Sequence, residues 1–517
     1  MSRAAHVYPG RVLKQNLVVG IDSSTSATKA IAWDRNGNFV CEGRESIPMD
    51  NPASGCFEQN PSDWWGSTIS ALKQVTGHVD ARRVAAVSIS NQRETFAVFS
   101  LDGTPPRPGI VWLDERAINE AEQFGDLVGR DRIRGICGKP VDALVPINRM
   151  IWIKNREPEI FAKIHKYSDV HGFLCNRLCN KWITSTASAD PSGMLCLRQM
   201  DWSTELLDAA GIPRSMMPDL ALPGEPVGNV TAGAAKLTGL IEGTPVIAGG
   251  GDGQCAATGA GAIEESLAYM NLGTAIVSGV YSSVYGHDQA FRTETAVSDE
   301  GYIFETVLKS GTFLIDWFAR ELAGGGENPG AVLKTLEAEA SQSPIGANGI
   351  ALLPFWQGSM TPHWDSKARG VIAGISGSSK RGDIYRALLE GLALDQAFAL
   401  EKAMAAMQGS ISRIIAIGGG TASGLLLQIV ADSCNVPVCK AKVAEASSLG
   451  AAICAAKGAG WYGTIKEACK SMCPSDLTII KPIEANVERY LEFRKIYDDL
   501  WPELKTWNTR LWDFANS

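Results

Sequence analysis

The chain has 517 residues, more than the roughly 250–300 that one hydrophobic core usually serves, so we expect at least two domains. Its 48 basic and 56 acidic residues give a net charge of −8, and no dense Lys/Arg stripe offsets that charge, which argues against nucleic acid as a partner. No apolar run approaches the roughly 20 residues of a membrane-spanning helix, and the polar N-terminus lacks the apolar segment of a secretory signal, so we expect no membrane partner.

Twelve cysteines are scattered between Cys41 and Cys473. They form neither a C-x-x-C pair nor a Cys/His cluster with metal-site spacing. In a chain of this size such cysteines are more often buried thiols than disulfides, which predicts a cytoplasmic location. Cys175 and Cys179 have the i, i+4 spacing of one helix face, where we expect core thiols.

The first strong pattern is a hairpin in "VVGIDSSTSATKAIAWD". We predict a strand over residues 18–21, a turn over 22–26 and a return strand over 30–33. A turn rich in Ser and Thr offers N–H and hydroxyl donors to phosphate oxygens. Asp22 then makes sense beside Mg²⁺, which proteins hold through one or two carboxylates plus phosphate oxygens. An ordinary Asx turn with exposed serines fits this segment equally well.

Two polar loops follow the next strands. We predict a buried strand over residues 84–89 with the loop "NQRET" behind it, then a short strand ending at Trp112 and a helix near Ala117. Ligands of open α/β sheets bind at such strand ends. Arg93 and Glu94 pair a donor fork with an acceptor and could grip vicinal hydroxyls, while Trp112 and Asp114 could add an apolar wall and another acceptor. A surface salt bridge for the pair and core packing for Trp112 are the alternatives.

"VIAGGGDGQ" places three glycines and Asp252 behind a strand over residues 246–248. Glycines allow close approach of a ligand or backbone, and an acid there can accept the proton of an attacking hydroxyl. A turn-forming Asp with local hydrogen bonds is the alternative. "MNLGTAIVSG" then predicts a second hairpin. We place a domain boundary near Ile263, which gives an extension over 1–16 and domains over 17–262 and 263–517.

The last third of the chain continues the strand, turn and helix pattern. "IIAIGGGTASG" predicts a strand, a glycine turn and a helix, and Gly418 to Gly420 could let an adenine lie flat, although a simple turn also fits. In "EASSLGAAICAAKGAG" we expect Ser447 or Ser448 to cap a helix of small residues. The final forty residues are predicted to be helical.

Taken together and in order, eight blocks resemble the FGGY family of carbohydrate kinases, over about residues 17–462. They are "GIDSSTSATKAIAWD", "SISNQRET", "GIVWLDERA", "AGGGDGQCAATGAGA", "MNLGTAIVSG", "LLPFWQGSMTPHWDSKARGVIAGI", "IIAIGGGTASGLLLQIVADSCNVPV" and "ASSLGAAICAAKGAGWY". The resemblance implies two α/β domains of the ribonuclease H-like, actin/hexokinase-type fold, with ATP and sugar meeting in the interdomain cleft.

The resemblance also implies roles for single residues. Asp252 matches the catalytic base, and Asp22 matches the acid associated with Mg²⁺, a metal that Asp252 would also face. The phosphate-contacting hairpins are matched by Thr25, Ser26, Lys29, Gly273 and Thr274. The nucleotide side is matched by Gly311, and the adenosine-contacting turn by Gly419, Gly420 and Ser423. The substrate contacts of the glycerol kinase branch are matched by Arg93, Glu94 and Trp112.

Four departures from the family pattern bear on substrate and nucleotide. Ser24 stands where a glycine is common, and Lys29 stands where glycerol kinases tend to have Arg, which could remove a bidentate phosphate contact. Gly253 replaces the Gln of glycerol kinases. Xylulokinases usually carry Met-His in place of Arg93 and Glu94, so the substrate clues conflict.

We therefore expect an ATP-dependent carbohydrate kinase that phosphorylates a terminal hydroxyl of a small sugar or polyol, first a ketopentose such as xylulose. Glycerol or another alditol is the alternative because of the Arg-Glu pair. An actin-like ATPase or a sugar sensor without catalysis is the alternative of another class, although sixteen N-terminal residues are too few for a helix-turn-helix. Many family members look dimeric, so a homodimer stays open.

Overall fold

Two mixed sheets dominate the computed structural model, which describes residues 15–441, 445–473 and 477–515. The extension predicted for residues 1–16 lies outside the described residues except for its last two. The first sheet contains, in spatial order, Pro226–Asn229, Pro245–Gly251, Val84–Asn91, Leu17–Ser23, Ala27–Asp34 and Phe39–Ser46. The second contains, in spatial order, Arg292–Thr295, Tyr302–Leu308, Ile276–Ser282, Leu267–Leu272, Arg413–Ile417, Val438–Lys440 and Thr478–Ile480.

The two sheets share one plan. In each sheet, three strands form an antiparallel meander. The first strand of the meander also pairs in parallel with a strand from later in the chain, and that later strand pairs in parallel with one more strand on its other side. In the first sheet the parallel row is Leu17–Ser23, Val84–Asn91 and Pro245–Gly251. Because the carboxyl ends of parallel strands meet at one edge of a sheet, the polar residues behind these strands are brought together.

Smaller sheets and the helices complete the fold. The remaining strands are Asp50–Ala53, Cys56–Gln59, Phe96–Phe99, Gly109–Ile110, Lys166–Asp169, Ile183–Ser185, Leu195–Cys196, Asp201–Trp202, Asp219–Ala221, Ala351–Leu353 and Val371–Ala373. The helices are Pro61–His78, Ile118–Val128, Arg130–Cys137, Pro146–Arg156, Pro158–Phe161, Val170–Cys179, Thr186–Ala189, Thr204–Ala210, Ala232–Thr238, Asp252–Gly259, Thr312–Glu321, Gly330–Ser341, Arg381–Met407, Gly424–Cys434, Ala446–Gly458, Ile465–Met472 and Glu484–Ala515. In the described part of the chain, no helix combines the length and apolarity needed to span a bilayer.

The central strand Leu17–Ser23 is buried along its whole length, which explains its continuous apolar sequence. One of the helices against it is Ala446–Gly458, which belongs to the second half of the chain. The approach is close because a Cβ on Gly20 would stand 2.0 Å from the Ser448 carbonyl oxygen. The Ser448 hydroxyl in turn donates to the Gly20 carbonyl at 3.0 Å. Small residues on this helix therefore join the two halves.

The same helix also packs against Asp252–Gly259, the helix that follows the triple-glycine strand. A Cβ on Gly450 would lie 2.0 Å from the Cys255 carbonyl oxygen, and one on Gly259 would lie 2.0 Å from that of Ala446. The two helix backbones are therefore in contact across the interface. The mixed core around them contains residues of both halves.

Three local predictions are wrong in detail. Neither Ser447 nor Ser448 is a helix cap, because the helix starts at Ala446 and the Ser448 hydroxyl is used across the interface. The strand predicted to reach Trp112 ends at Ile110. Asp22 belongs to the strand and not to the turn, since it pairs with Ser90 in the parallel ladder. The predicted core thiols are observed: all twelve cysteines are free, and Cys175 and Cys179 are buried.

Candidate active site

The tip of the first hairpin is held by hydrogen bonds from neighbouring loops. The Thr25 carbonyl accepts from Gln59 Nε2 at 2.7 Å, and the Thr25 hydroxyl accepts from Trp112 Nε1 at 2.8 Å. Ser26 is exposed beside it. Ser24 has a negative φ, so the glycine common at this position is not needed here. The hairpin thus presents hydroxyls and N–H groups from a fixed backbone.

Asp22 lies behind this hairpin and is 7% exposed. Ser90 Oγ donates to its carboxylate at 2.8 Å. Burial, followed by the negative charge of Asp252, raises the pKa of Asp22 to about 7. Lys29 does not pair with it, because Lys29 Nζ binds Glu445 Oε2 at 2.6 Å and so bridges the two halves of the chain. The predicted phosphate contact of Lys29 would have to compete with that ion pair.

Asp252 starts a helix directly behind the strand Pro245–Gly251. Its Oδ1 accepts from Gly253 N at 2.8 Å and from Arg93 Nε at 3.1 Å. Burial at the interface raises the pKa of Asp252, while the positive charge of Arg93 opposes that effect. Its side chain keeps 37% of its surface exposed. The Asp252 carboxylate is therefore accessible to a ligand and more basic than that of an ordinary aspartate.

The glycines before Asp252 are required by close contacts. A Cβ on Gly249 would lie 2.0 Å from the Ile89 carbonyl oxygen, and one on Gly250 would lie 2.3 Å from Val297 Cγ2. The Gly249 N–H donates to Nε2 of the buried His171 at 3.1 Å. Burial lowers the pKa of His171 to about 3, which keeps the imidazole neutral and able to accept. His171 thus anchors the turn that carries Asp252.

Arg93 and Glu94 are each only 8% exposed, so they do not form a surface salt bridge. Arg93 Nη1 donates to both carboxylate oxygens of Glu305, at 3.0 and 2.8 Å. Glu94 Oε1 accepts from Arg292 Nη1 at 2.6 Å. Within the described residues, Arg93 Nη2 and Glu94 Oε2 have no hydrogen-bond partner. One donor group and one acceptor atom are left for a ligand with neighbouring hydroxyls.

Arg149, which is fully buried, connects the loop that carries Arg93 and Glu94 to the loop that carries Trp112. Arg149 donates to the carbonyls of Glu94 at 2.9 Å and Val111 at 2.6 Å. Glu94 itself has φ of +55°, a left-handed conformation that is uncommon for residues other than glycine. The two polar loops are therefore fixed relative to each other.

The predicted substrate acceptor Asp114 is held inside the protein by hydrogen bonds. Its carboxylate is fully buried and accepts from Phe57 N at 2.7 Å and from Arg116 at 2.8 and 2.7 Å. Those bonds stabilise the loop and use the acceptor oxygens. Trp112 differs, because it is only partly buried and its indole donates to the Thr25 hydroxyl at the tip of the first hairpin.

The second hairpin tip and the glycines predicted to contact the nucleotide lie together. Gly311 N donates to the Thr274 carbonyl and Thr312 N to that of Gly273, both at 2.8 Å. Gly419 is exposed, and a Cβ there would meet no described atom within 4 Å, whereas one on Gly420 would lie 2.8 Å from Leu272 Cβ. The glycine turn therefore has an open side.

The Ser423 hydroxyl is already used inside the protein. It accepts from Leu426 N at 3.0 Å as the cap of helix Gly424–Cys434, and it donates to Glu337 Oε1 at 3.0 Å. A contact from this hydroxyl to adenosine would have to share it with the helix cap.

The residues present fit a magnesium ion. Asp22 and Asp252 supply hard carboxylate oxygens, and burial raises the pKa of each. Among the described residues, no three or more His, Cys, Asp or Glu side chains are grouped to hold a metal ion. Water and phosphate oxygens would have to complete the coordination, as is usual for Mg²⁺ with nucleotides.

Sequence reasoning missed Glu305, Arg292 and Arg149. A signal was available for the first two, because Glu305 is a lone acid in the buried strand "YIFETVL" and Arg292 lies in "RTET", where charged residues alternate in a buried strand. Such positions call for charge partners. No local pattern marks Arg149, which lies within an amphipathic helix.

Comparisons with known proteins show which family this chain resembles in sequence. Residues 17–259 match the N-terminal domain, and residues 268–459 the C-terminal domain, of the FGGY family of carbohydrate kinases. The chain is 30% identical to a xylulose kinase of Bacillus subtilis over 511 residues, covering 97% of this chain and 99% of that protein. It is 28% identical to a glycerol kinase of Thermococcus gammatolerans over 469 residues, covering 88% and 91%.

A solved xylulose kinase structure from Rhodospirillum rubrum superposes with a TM-score of 0.89 at 25% identity, covering 95% of this chain and 99% of that one. The predicted fold class, two α/β domains of the actin-like ATPase type, is thereby confirmed.

Proposed function

The chain belongs to the FGGY family of carbohydrate kinases, phosphotransferases with a hydroxyl acceptor, and from that premise we propose that it transfers the γ-phosphoryl group of ATP to a terminal hydroxyl of a small neutral sugar or polyol. The observation that carries the proposal is Asp252, an accessible acid that accepts a hydrogen bond from Arg93 at 3.1 Å and whose negative charge raises the pKa of Asp22. A ketopentose such as xylulose is our first choice of acceptor.

In the proposed reaction, Asp252 accepts the proton of the attacking hydroxyl. A positioned general base of this kind contributes about 10²–10⁴-fold to a rate. Arg93 Nε holds one carboxylate oxygen, which leaves the other oriented for the acceptor. The raised pKa of Asp252 strengthens it as a base.

The two hairpin tips at Thr25 and Thr274 would bind the phosphates through hydroxyls and backbone N–H groups, and the open side of Gly419 would face the adenosine. Asp22 and Asp252 would hold Mg²⁺, whose chemistry is to neutralise charge on the transferring phosphoryl group.

The charge around Arg93 supports a neutral acceptor. Acids outnumber bases in this connected set, so an anionic sugar acid would be repelled. The acids are Glu94, Asp252, Glu294 and Glu305, and the bases are Arg93, Lys139 and Arg292.

Two observations favour different neutral acceptors. The 30% identity with a xylulose kinase supports a ketopentose. The unpartnered Arg93 Nη2 and Glu94 Oε2 support glycerol or another alditol, because that pair matches the glycerol kinase branch. Both acceptors carry vicinal hydroxyls, so both fit one donor and one acceptor.

The experiment is a panel of acceptors with purified protein, ATP and Mg²⁺, in which ADP release is measured for ketopentoses, alditols, glycerol and gluconate. We expect turnover with a neutral acceptor, xylulose first, and none with gluconate. ADP release that no acceptor stimulates would favour an actin-like ATPase, and no ADP release with any acceptor would favour a sugar sensor without catalysis. Cytoplasmic location and a homodimer remain proposals beside this one.

A further inference from the structure

Charged side chains of the second domain contact Arg93 and Glu94, the two residues predicted to bind the substrate hydroxyls. Arg292, Glu305 and Tyr269 lie on three strands of the second sheet, while Arg93 and Glu94 follow a strand of the first. Arg292 and Glu305 are direct cross-strand partners in the antiparallel register. Their side chains therefore leave the same face of the sheet.

Gly279, on the neighbouring strand Ile276–Ser282, lies in the same cross-strand row as Arg292 and Glu305. It is the register partner of Glu305 on one side and of Tyr269 on the other. A Cβ on Gly279 would stand 2.5 Å from Tyr269 Cε1, so the missing side chain lets the Tyr269 ring cross the strand. The Tyr269 hydroxyl then donates to Glu305 Oε2 at 2.9 Å. Glu305 is thus fixed from both sides of its own strand.

Glu305 is fully buried and lies between two guanidinium groups. Arg292 Nε donates to it at 2.7 Å and Arg93 Nη1 at 2.8 Å. Burial raises the pKa of Glu305, but Arg292 and Arg93 outweigh burial and lower it to about 2. Glu305 is therefore a permanent anion that binds one arginine from each domain.

The division of Arg93 between two carboxylates has a chemical consequence. With Nη1 on Glu305 and Nε on Asp252 Oδ1, the guanidinium bridges one carboxylate of each domain. Its Nη2 amino group stays available, and so does the second oxygen of Asp252. Without Glu305, the guanidinium of Arg93 would be left with Asp252, the base itself, and with Glu294, whose Oε1 lies 3.8 Å from Arg93 Nη1.

We propose that Glu305, supported by Arg292 and Tyr269, is a positioning residue of the second domain that holds Arg93 in the orientation that grips the sugar. The substrate grip is then complete only when the two domains meet. This inference rests on the proposed function, since it needs a sugar that Arg93 contacts.

The test combines Glu305→Gln with Arg93→Ala in a double-mutant cycle, using the acceptor identified in the panel. We expect Glu305→Gln to raise the acceptor KM at least tenfold with ATP KM unchanged within twofold. In the Arg93→Ala background, Glu305→Gln should cost less than threefold further, because Glu305 acts through Arg93. If Glu305 only stabilised the fold, Glu305→Gln would raise acceptor KM by the same factor in the wild-type and Arg93→Ala backgrounds.

Two further variants guard against loss of folding. Tyr269→Phe removes one bond to Glu305 without removing a charge, and should raise acceptor KM in the same direction by about threefold. Glu390→Gln is the matched control, because Glu390 is also buried and accepts from an arginine and a tyrosine, Arg386 at 2.7 Å and Tyr490 at 3.0 Å. It should lower thermal stability without changing acceptor KM.

The outcomes are distinguishable. A wild type that phosphorylates no acceptor overturns the proposed function and this inference together. An active wild type in which Glu305→Gln changes only ATP KM, or in which its effect adds to that of Arg93→Ala, overturns the inference alone.

Discussion

Arg93 and Glu305 are 212 positions apart in the chain, and their side chains meet at 2.8 Å across the domain interface. The contact depends on Gly253. A Cβ at that position would lie 2.8 Å from Arg93 Cζ and Nη2, and 3.0 Å from Glu305 Oε2. The absence of a side chain at position 253 thus leaves room for the Arg93 guanidinium.

Gly253→Ala should therefore displace Arg93 from Glu305 and weaken acceptor binding. Overpacking of this kind costs about 1–3 kcal/mol, so we expect acceptor KM to rise about tenfold, with ATP KM unchanged. The control is Gly66→Ala in the helix Pro61–His78, where a Cβ would meet no described atom within 4 Å. Steady-state kinetics with each substrate varied in turn check this, and a normal acceptor KM in Gly253→Ala would contradict it.

Asp22→Asn tests whether the Asp22 carboxylate helps to hold Mg²⁺. The amide keeps the size of the side chain but removes the charge, so we expect the Mg²⁺ concentration for half-maximal rate to rise at least about tenfold. Ser90→Ala, which removes only the hydrogen bond to Asp22, should produce a smaller shift in the same direction. Rates measured over a Mg²⁺ titration at fixed ATP decide the matter. An unchanged titration in Asp22→Asn would show that Asp22 does not face the metal.

The helix contact between the domains should be sensitive to a single methyl group. Gly450→Ala places a Cβ 2.0 Å from the Cys255 carbonyl oxygen, and we expect it to destabilise the fold by about 1–3 kcal/mol. Gly424→Ala is the control, because a Cβ there would meet no described atom within 4 Å and the residue also lies in a helix. Thermal melts of the two variants should differ by several degrees, and equal Tm values would argue against a tight interface.

His171 makes stability depend on pH. Its pKa is about 3 in the fold, below the ordinary value of 6.5, because burial disfavours the imidazolium. Between those two values the unfolded chain binds the extra proton, so this contribution is complete above pH 6.5 and is lost as pH falls towards 3. The loss is up to about 1.4 kcal/mol per pH unit.

His171→Gln removes that titration while its side-chain oxygen can still accept from Gly249 N. Urea unfolding at pH 7, 6 and 5 should show a shallower fall in the free energy of unfolding for His171→Gln than for wild type. Parallel pH dependences would mean that His171 does not carry the effect.

Sequence alone predicted the parts of the candidate site that are local. Asp22, Arg93 and Asp252 each follow or end a buried strand, and strand ends of a parallel row meet at one edge of a sheet. The two hairpins were readable because the strand, turn and strand pattern lies within a few residues. Family resemblance then placed the hairpins opposite each other.

The remaining features depend on contacts between distant segments. Glu305 and Arg292 gain their role only because the second sheet faces the first, which no local pattern encodes. Asp114 looked like an acceptor for a ligand, but Arg116 and Phe57 N use its oxygens. Ser448 looked like a cap and instead bonds to Gly20, 428 positions away. For Ser448 a local and a distant use were both possible, and packing selected the distant one.

The central claim is that Asp252 is the general base of phosphoryl transfer to a sugar. The most direct measurement is acceptor-dependent ADP release by Asp252→Asn, together with its affinity for ATP by calorimetry. We predict that turnover falls by about 10²–10⁴-fold while the Kd for ATP stays within threefold of wild type. Turnover close to that of wild type, with ATP binding intact, would contradict the account.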